Sequence, residues 1–291
     1  MYETILHDMD MHRIMDSGQA FRIHALSDNS FLALAGSRAL LIRQNGERVS
    51  FYCSEDRFRD FWYDYFDLET DYAAIRHSVD PDDSFLTGAV SCGIGIRILR
   101  QDLWETLISF LISQNNNIHR IRNSIQALCE RFGGPVIPEE PFPTQTCREI
   151  PPLRAFPSPE ALCSGGLKGL QGLGLGYRDK YILHAAGRCC GPAGKDWLHR
   201  LSGCDYDSAM EMLLQESGIG RKVADCICLF ALHHVDAFPV DTHIRQILDT
   251  HYPDGFPFAR YQGYAGILQQ YMFFYKRSAG RQKGGHGTEG L

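Results

Sequence analysis

The stretch Leu213-Leu214-Gln215-Glu216-Ser217-Gly218-Ile219-Gly220-Arg221-Lys222-Val223-Ala224-Asp225-Cys226 decides how the chain is read. Two glycines enclose one aliphatic residue between a helix-like run and a second apolar run. That spacing predicts a helix–hairpin–helix turn whose outward amides suit a phosphate. Gly218 as a plain helix C-cap and Ile219 as a core plug would explain the glycines equally well. Lys222 is harder to place, because it falls in the first turn of the second helix, where the helix dipole disfavours a cation. Beside Arg221 it suits either a second phosphate-binding cation or an amine kept free enough to attack carbon, and spacing leaves both open. Further on, Phe238-Pro239-Val240-Asp241-Thr242-His243 sets an aspartate after an apolar approach and before another helical run. Asp241 reads as an N-cap, a position that also holds an ionised carboxylate where positive charge could develop.

Upstream, Phe21 to about Cys53 alternates in short apolar segments, with Asn45-Gly46 where a hairpin turn needs positive φ, so an antiparallel meander is expected. After Ser54 the period changes. Phe58, Phe61, Trp62, Tyr65 and Phe66 recur three and four apart, as on one helix face. Helical faces follow at 103–112 and 118–128, the latter ended by Gly133-Gly134. A proline-rich connector spans 135–159, and Ser158-Pro159-Glu160 carries an N-cap and N1 proline. Further helices are expected at 178–189, 206–216, 221–233, 242–250 and 258–277. The outline is α+β: a sheet domain over 1–95, a helical region over 96–278 with the hairpin at about 206–233, and a mobile tail over 279–291.

The 291 residues are 44% hydrophobic and 22% charged, the profile of a folded soluble protein. Net charge is −6, so no global basic field advertises a nucleic-acid partner; a local cluster of cations and backbone amides can still grip phosphate. No apolar run is long enough to span a bilayer and the N-terminus lacks the basic start of an export signal, so a cytoplasmic setting is expected. Ten cysteines are then free thiols, and neither Cys189-Cys190 nor Cys226-x-Cys228 has the spacing of a zinc or cluster site.

Five motifs in order carry a resemblance: Ser17-Gly18-Gln19-Ala20-Phe21-Arg22, Ser113-Gln114-Asn115-Asn116-Asn117-Ile118, Leu173-Gly174-Leu175-Gly176-Tyr177-Arg178, the hairpin with Pro239-Val240-Asp241-Thr242-His243, and Tyr264-Ala265-Gly266. Together they resemble the helix–hairpin–helix/Gly-Pro-Asp superfamily of DNA base-excision glycosylases, and within it the 8-oxoguanine DNA glycosylase/lyase branch. The resemblance implies a TATA-binding-protein-like antiparallel sheet domain followed by an all-helical glycosylase body. It implies action as a monomer on duplex DNA holding an oxidised purine opposite cytosine, with no membrane partner and, in a bacterial cell, work at the nucleoid.

Carried over by position, Lys222 matches the nucleophile and Asp241 the catalytic aspartate. Gly18 matches the carbonyl that accepts the N7 hydrogen peculiar to 8-oxoguanine. Cys226 and Phe273 match the walls sandwiching a flipped base and Gln269 the amide reading its edge, with Gln270 and Phe274 a competing pair one residue on. Asn115, Arg120 and Arg178 match residues holding the orphaned cytosine, and Tyr177 the wedge at the gap. Gly218, Gly220 and His243 match phosphate contacts. No cofactor or catalytic metal is implied, although hairpin carbonyls could hold a structural cation in the DNA complex.

Two departures stand out. Glu216-Ser217 occupies the place where the family usually has Leu-Pro, and Gln114 that of a small serine. Other readings are an endonuclease III-like or adenine-specific glycosylase, a non-catalytic duplex-binding module, and an α+β protein unrelated to nucleic acid. The first commonly has four clustered cysteines late in the chain, whereas here no cysteine follows Cys228.

Overall fold

The computed structural model describes residues 1–140, 142, 150 and 153–284. Strand β1 (Tyr2–Ile5) and helix α1 (Met11–Asp16) lead into a meander of β2 (Ile23–Ala25), β3 (Ser30–Ala35), β4 (Arg38–Asn45) and β5 (Arg48–Phe51). These five strands lie antiparallel in the order β1-β5-β4-β3-β2. In the β4–β5 hairpin Asn45 pairs with Arg48, so the two turn residues are Gly46 and Glu47 rather than Asn45 and Gly46; only the glycine takes positive φ, as a II′ turn requires.

All six residues of β3 are buried because the sheet is covered on both faces. Phe31, Ala33 and Ala35 face a core with Met11, Ile14, Trp62 and Phe66; Leu32 and Leu34 face Ala39, Val136 and Leu153. The second cover comes from the connector, which also supplies β6 (Ile137–Pro138), parallel to the start of β4. The aromatic periodicity after Ser54 forms α2 (Glu55–Arg57), a π-turn (Phe58–Trp62) and α3 (Tyr63–Tyr65) in succession, capped by the Ser54 hydroxyl, which accepts from Arg57 N–H at 3.3 Å.

The helical body comprises α4 (Tyr72–His77), α5 (Ser84–Cys92), α6 (Leu103–Ser113), α7 (Ile118–Phe132), α8 (Pro159–Leu170), α9 (Arg178–Cys189), α10 (Gly191–Ser202), α11 (Tyr206–Leu214), α12 (Arg221–Phe230), α13 (Thr242–His251) and α14 (Ala265–Gly284). Two expected helix boundaries shift. α12 stops at Phe230, and His233 then takes φ +57, turning the chain so that its Nε2 lies 3.3 Å from Asp67 in the first domain. α14 starts at Ala265 rather than 258, after Gly263 at φ +94, and Asp236 accepts from the Gly263 and Ala265 amides at 2.6 and 3.4 Å.

The expected tail begins inside α14, which continues to Gly284; its remainder, 285–291, and connector residues 141, 143–149 and 151–152 lie outside the described residues. Among the described residues no helix is long and apolar enough to cross a membrane.

Buried polar groups fix the sheet domain to the body. Arg22 donates to Glu105 at 3.0 Å, and the same carboxylate oxygen accepts the Gly36 amide at 3.0 Å. Arg97 donates to the carbonyls of Asp8, Phe66, Asp67 and Thr70, knitting loops of both parts. Bonded to a carboxylate or to several carbonyls, these arginines avoid the large penalty of an unpaired buried charge.

Candidate active site

The hairpin forms as its glycines demand. Gly218 has φ +85, and a Cβ there would sit 2.4 Å from Cγ of Tyr181, so both backbone and neighbour exclude a side chain. The Ile219 amide donates to the Glu216 carbonyl at 3.1 Å, and Gly220 in extended conformation opens α12. Gln114 Nε2 donates to the Gly218 carbonyl at 3.0 Å. Glu216, whose negative charge the sequence places close to a phosphate site, is met by Arg188 Nε at 2.9 Å and His184 Nε2 at 3.3 Å.

Helix α12 presents Lys222 and Cys226, one turn apart, to a cavity of about 330 Å³ counting its open mouth. Gly18, Asp241, Gln269 and Phe273 line the same cavity, so the six residues matched to nucleophile, carboxylate and base pocket converge from four parts of the chain. Phe110, Phe230, Pro239 and Gln270 complete the wall.

Lys222 Nζ lies over the Phe110 ring, 5.3 Å from its centroid, and that ring stacks on Phe230 at 5.4 Å. Burial pushes the Cys226 thiol up to about 11 against the opposing pull of Lys222, so it stands beside the lysine as an uncharged wall. Asp241 caps α13: its Oδ1 accepts the Ile244 amide at 2.8 Å, which fixes the carboxylate at the helix N-terminus.

The two glutamines of α14 both reach the cavity wall but differ in their hydrogen bonds. Gln269 is buried, its Nε2 donates to Pro239 O at 2.8 Å, and its Oε1 is buried with no hydrogen-bond partner. Gln270 also reaches the wall, but its Nε2 donates to Ser17 O at 2.6 Å and so supports the Gly18 loop. Both Phe273 and Phe274 pack against the helical core, and of the two Phe273 lines the cavity. Gly18 has φ +82, and a Cβ on it would approach Phe273 Cε1 to 3.2 Å. His243 is exposed on α13, with its ring centroid 6.0 Å from that of Phe273.

A second, open concavity of about 850 Å³ lies between α7 and the loop at 172–178 and is lined by Asn115, Arg120, Asn123, Gly174 and Arg178, among others. Arg120 is exposed there, and Asn115, at φ +45, donates from Nδ2 to the Tyr177 hydroxyl at 3.2 Å. Tyr177 is 51% exposed. Arg178, matched to a residue holding the orphaned cytosine, lines the concavity but is buried: Nε donates to Gln114 O at 2.8 Å, Nη1 to Leu175 O at 3.1 Å, and Nη2 to Asn115 O at 3.1 Å and to Gln114 O. Three carbonyls take up most of its donors, leaving Arg120 and Asn115 as the open groups.

Phe110, Phe230 and Pro239 are wall residues to which the sequence assigns no role. Phe110 sits on the apolar face of α6 with nothing local to mark it as a floor for an amine. Chemically the first cavity joins an amine, a helix-capping carboxylate, an unsatisfied amide oxygen and an aromatic–thiol pair, a set suited to attack on a carbon next to a planar base.

Residues 2–107 match the family model of the 8-oxoguanine DNA glycosylase N-terminal domain, and residues 108–254 that of the HhH-GPD superfamily base excision DNA repair proteins. The N-glycosylase/DNA lyase of Saccharomyces cerevisiae is 38% identical over 167 residues, covering 54% of this chain and 42% of the yeast protein. The chain thus spans less than half of that relative's length. A probable N-glycosylase/DNA lyase of Methanothermobacter thermautotrophicus is 31% identical over 244 residues, 74% of this chain and 72% of the relative. Among solved structures, the Clostridium acetobutylicum 8-oxoguanine glycosylase/lyase in complex with double-stranded DNA containing cytosine opposite 8-oxoG superposes with TM-score 0.82 at 28% identity, covering 96% of this chain and 99% of that one. The chain belongs to the HhH-GPD superfamily of base excision DNA repair proteins and carries the N-terminal domain of its 8-oxoguanine DNA glycosylase branch.

Proposed function

We propose that the chain excises 8-oxoguanine lying opposite cytosine in duplex DNA and then cleaves the abasic strand. The observation that carries this reading is that Lys222 and Asp241 share one cavity with Gly18, Gln269, Cys226 and Phe273. The sugar carbon and the base edge are inaccessible inside a stacked duplex, so the nucleotide must first be flipped out. In the cavity Cys226 and Phe273 flank the base. The buried Oε1 of Gln269 accepts from its Watson–Crick edge, and the Gly18 carbonyl accepts the N7 hydrogen. Guanine would set a lone pair against that carbonyl, a desolvated mismatch that discriminates strongly.

Lys222 Nζ, as free amine, attacks C1′ while the glycosidic bond breaks and its electron pair leaves with the base. Loss of a proton from nitrogen and opening of the sugar ring give an imine. Removal of a C2′ proton then expels the 3′-phosphate by β-elimination, and water releases the lysine. Asp241 stabilises the positive charge that develops on the sugar. The route needs no cofactor.

On the other strand, Arg120 and Asn115 hold the orphaned cytosine, Tyr177 fills the gap, and Arg178 holds the loop that presents Asn115. Gly218, Gly220 and His243 take phosphates. A hairpin cation would have to share carbonyls that already accept hydrogen bonds, those of Glu216 and Gly218. Every group of the site comes from one chain, which supports action as a monomer, and the substrate fits the cytoplasmic setting expected from the sequence. Release of free base from duplexes containing 8-oxoguanine or guanine, paired with each of the four bases, tests the reading. Release that depends on the lesion and is fastest opposite cytosine supports it, and no release from any duplex contradicts it.

A further inference from the structure

Two departures of the sequence meet at one contact. Gln114 ends α6, and its backbone carbonyl and that of Asn115 are both gripped by the buried Arg178 guanidinium. Its side chain runs the other way, with Nε2 donating to Gly218 O at 3.0 Å across 104 residues of sequence. One residue therefore has its main chain in the loop that presents Asn115 and its side chain on the hairpin two residues before Gly220, where α12 and Lys222 begin. The hairpin has Ser217 at its turn, without the φ restriction of a proline, so its position depends on such outside ties. Glu216, held by Arg188 and His184, provides a second tie.

We propose that Gln114 is a positioning residue that couples recognition of the base opposite the lesion to the placement of Lys222. A cytosine that engages Asn115 and Arg120 and fixes their loop also fixes the Gln114 main chain, and through its amide the Gly218 carbonyl. An ill-fitting opposite base leaves that loop loose, and the hairpin with it. The coupling is of the size that one interaction between two loops can carry. It rests on the excision reading above and deepens it: preference for cytosine would act on the chemical step as well as on binding.

The test is single-turnover excision of 8-oxoguanine opposite cytosine and opposite thymine by the full chain, by Gln114→Ser and by Gln114→Met. The serine is too short to reach Gly218; the methionine keeps the length and the packing but has no donor, so it serves if the serine variant folds poorly. Expected is a rate opposite cytosine lowered about tenfold in both variants and a rate opposite thymine lowered less than about twofold. The cytosine-to-thymine ratio should therefore shrink by at least about fivefold. A merely structural tie would slow both substrates equally, and an unchanged ratio with excision intact overturns the coupling while leaving the function standing. Absence of excision by the wild-type chain overturns both.

Discussion

Gln269 is bound through Nε2 to the Pro239 carbonyl at 2.8 Å, two residues before Asp241, so the carboxylate loop and the α14 wall of the cavity are tied directly. The bond leaves Oε1 without a protein partner at the cavity wall, available to accept from a ligand donor. Gln269→Leu should lower single-turnover excision of 8-oxoguanine about 10- to 100-fold. Folding stability should change by less than about 1 kcal/mol, because a buried orphan oxygen is removed along with one hydrogen bond. Parallel denaturant titrations separate the two effects.

Gly18 offers a steric test of the facing wall. At φ +82, an alanine pays about 1–2 kcal/mol for a left-handed backbone, and its methyl group must displace Phe273, 3.2 Å away. Gly18→Ala should therefore lose lesion binding while the duplex affinity set by phosphate contacts persists, as competition titrations against undamaged DNA would reveal.

Asp67 anchors the contact between the two parts of the chain. Burial alone would raise its pKa, but hydrogen bonds from His233, Tyr72 and Arg100 outweigh that and hold it at about 2. A carboxyl depressed in the folded state contributes stability that is present above its unfolded value, near 4, and lost as pH falls through the folded value. Wild-type stability should accordingly decline between about pH 4 and pH 2. Asp67→Asn should show a shallower decline there and be about 2–4 kcal/mol less stable at pH 7, by urea unfolding across pH.

The buried Arg22–Glu105 pair behaves differently. Burial, outweighing the attraction of Arg22, holds the Glu105 carboxyl above the ordinary range. Arg22→Met leaves that carboxyl without its cation, so about 3–5 kcal/mol should be lost at neutral pH. The loss should lessen as pH falls and Glu105 protonates, because a group with a raised folded pKa favours the fold on the acid side. Melting curves at pH 5 and pH 8 would show it, and an equal loss at both would contradict the assignment.

What the sequence disclosed follows from how local each cause is. The hairpin glycines, the N-caps at Ser158 and Asp241 and the aromatic stripe after Ser54 are set by neighbours within a turn, and the structure has them at those positions. Strand β1 was not legible because Tyr2–Ile5 is half-exposed and is stabilised by pairing with β5, some 46 residues away from its partners. The start of α14 was misplaced because its cap is Asp236, a residue remote in sequence. In the site, the resemblance pointed to Lys222, Asp241 and Gln269, which share the cavity, but nothing in the sequence showed the enclosure of Arg178 by carbonyls or the reach of Gln114 to Gly218, which depend on where separate helices end.

The most direct test of the whole account is borohydride trapping on duplexes that carry 8-oxoguanine opposite each base, with guanine as control, using the wild-type chain and Lys222→Gln. The account predicts a covalent protein–DNA adduct that requires the lesion, forms most readily opposite cytosine and vanishes in Lys222→Gln while that variant still binds the lesion duplex. An adduct of equal yield with Lys222→Gln would contradict it.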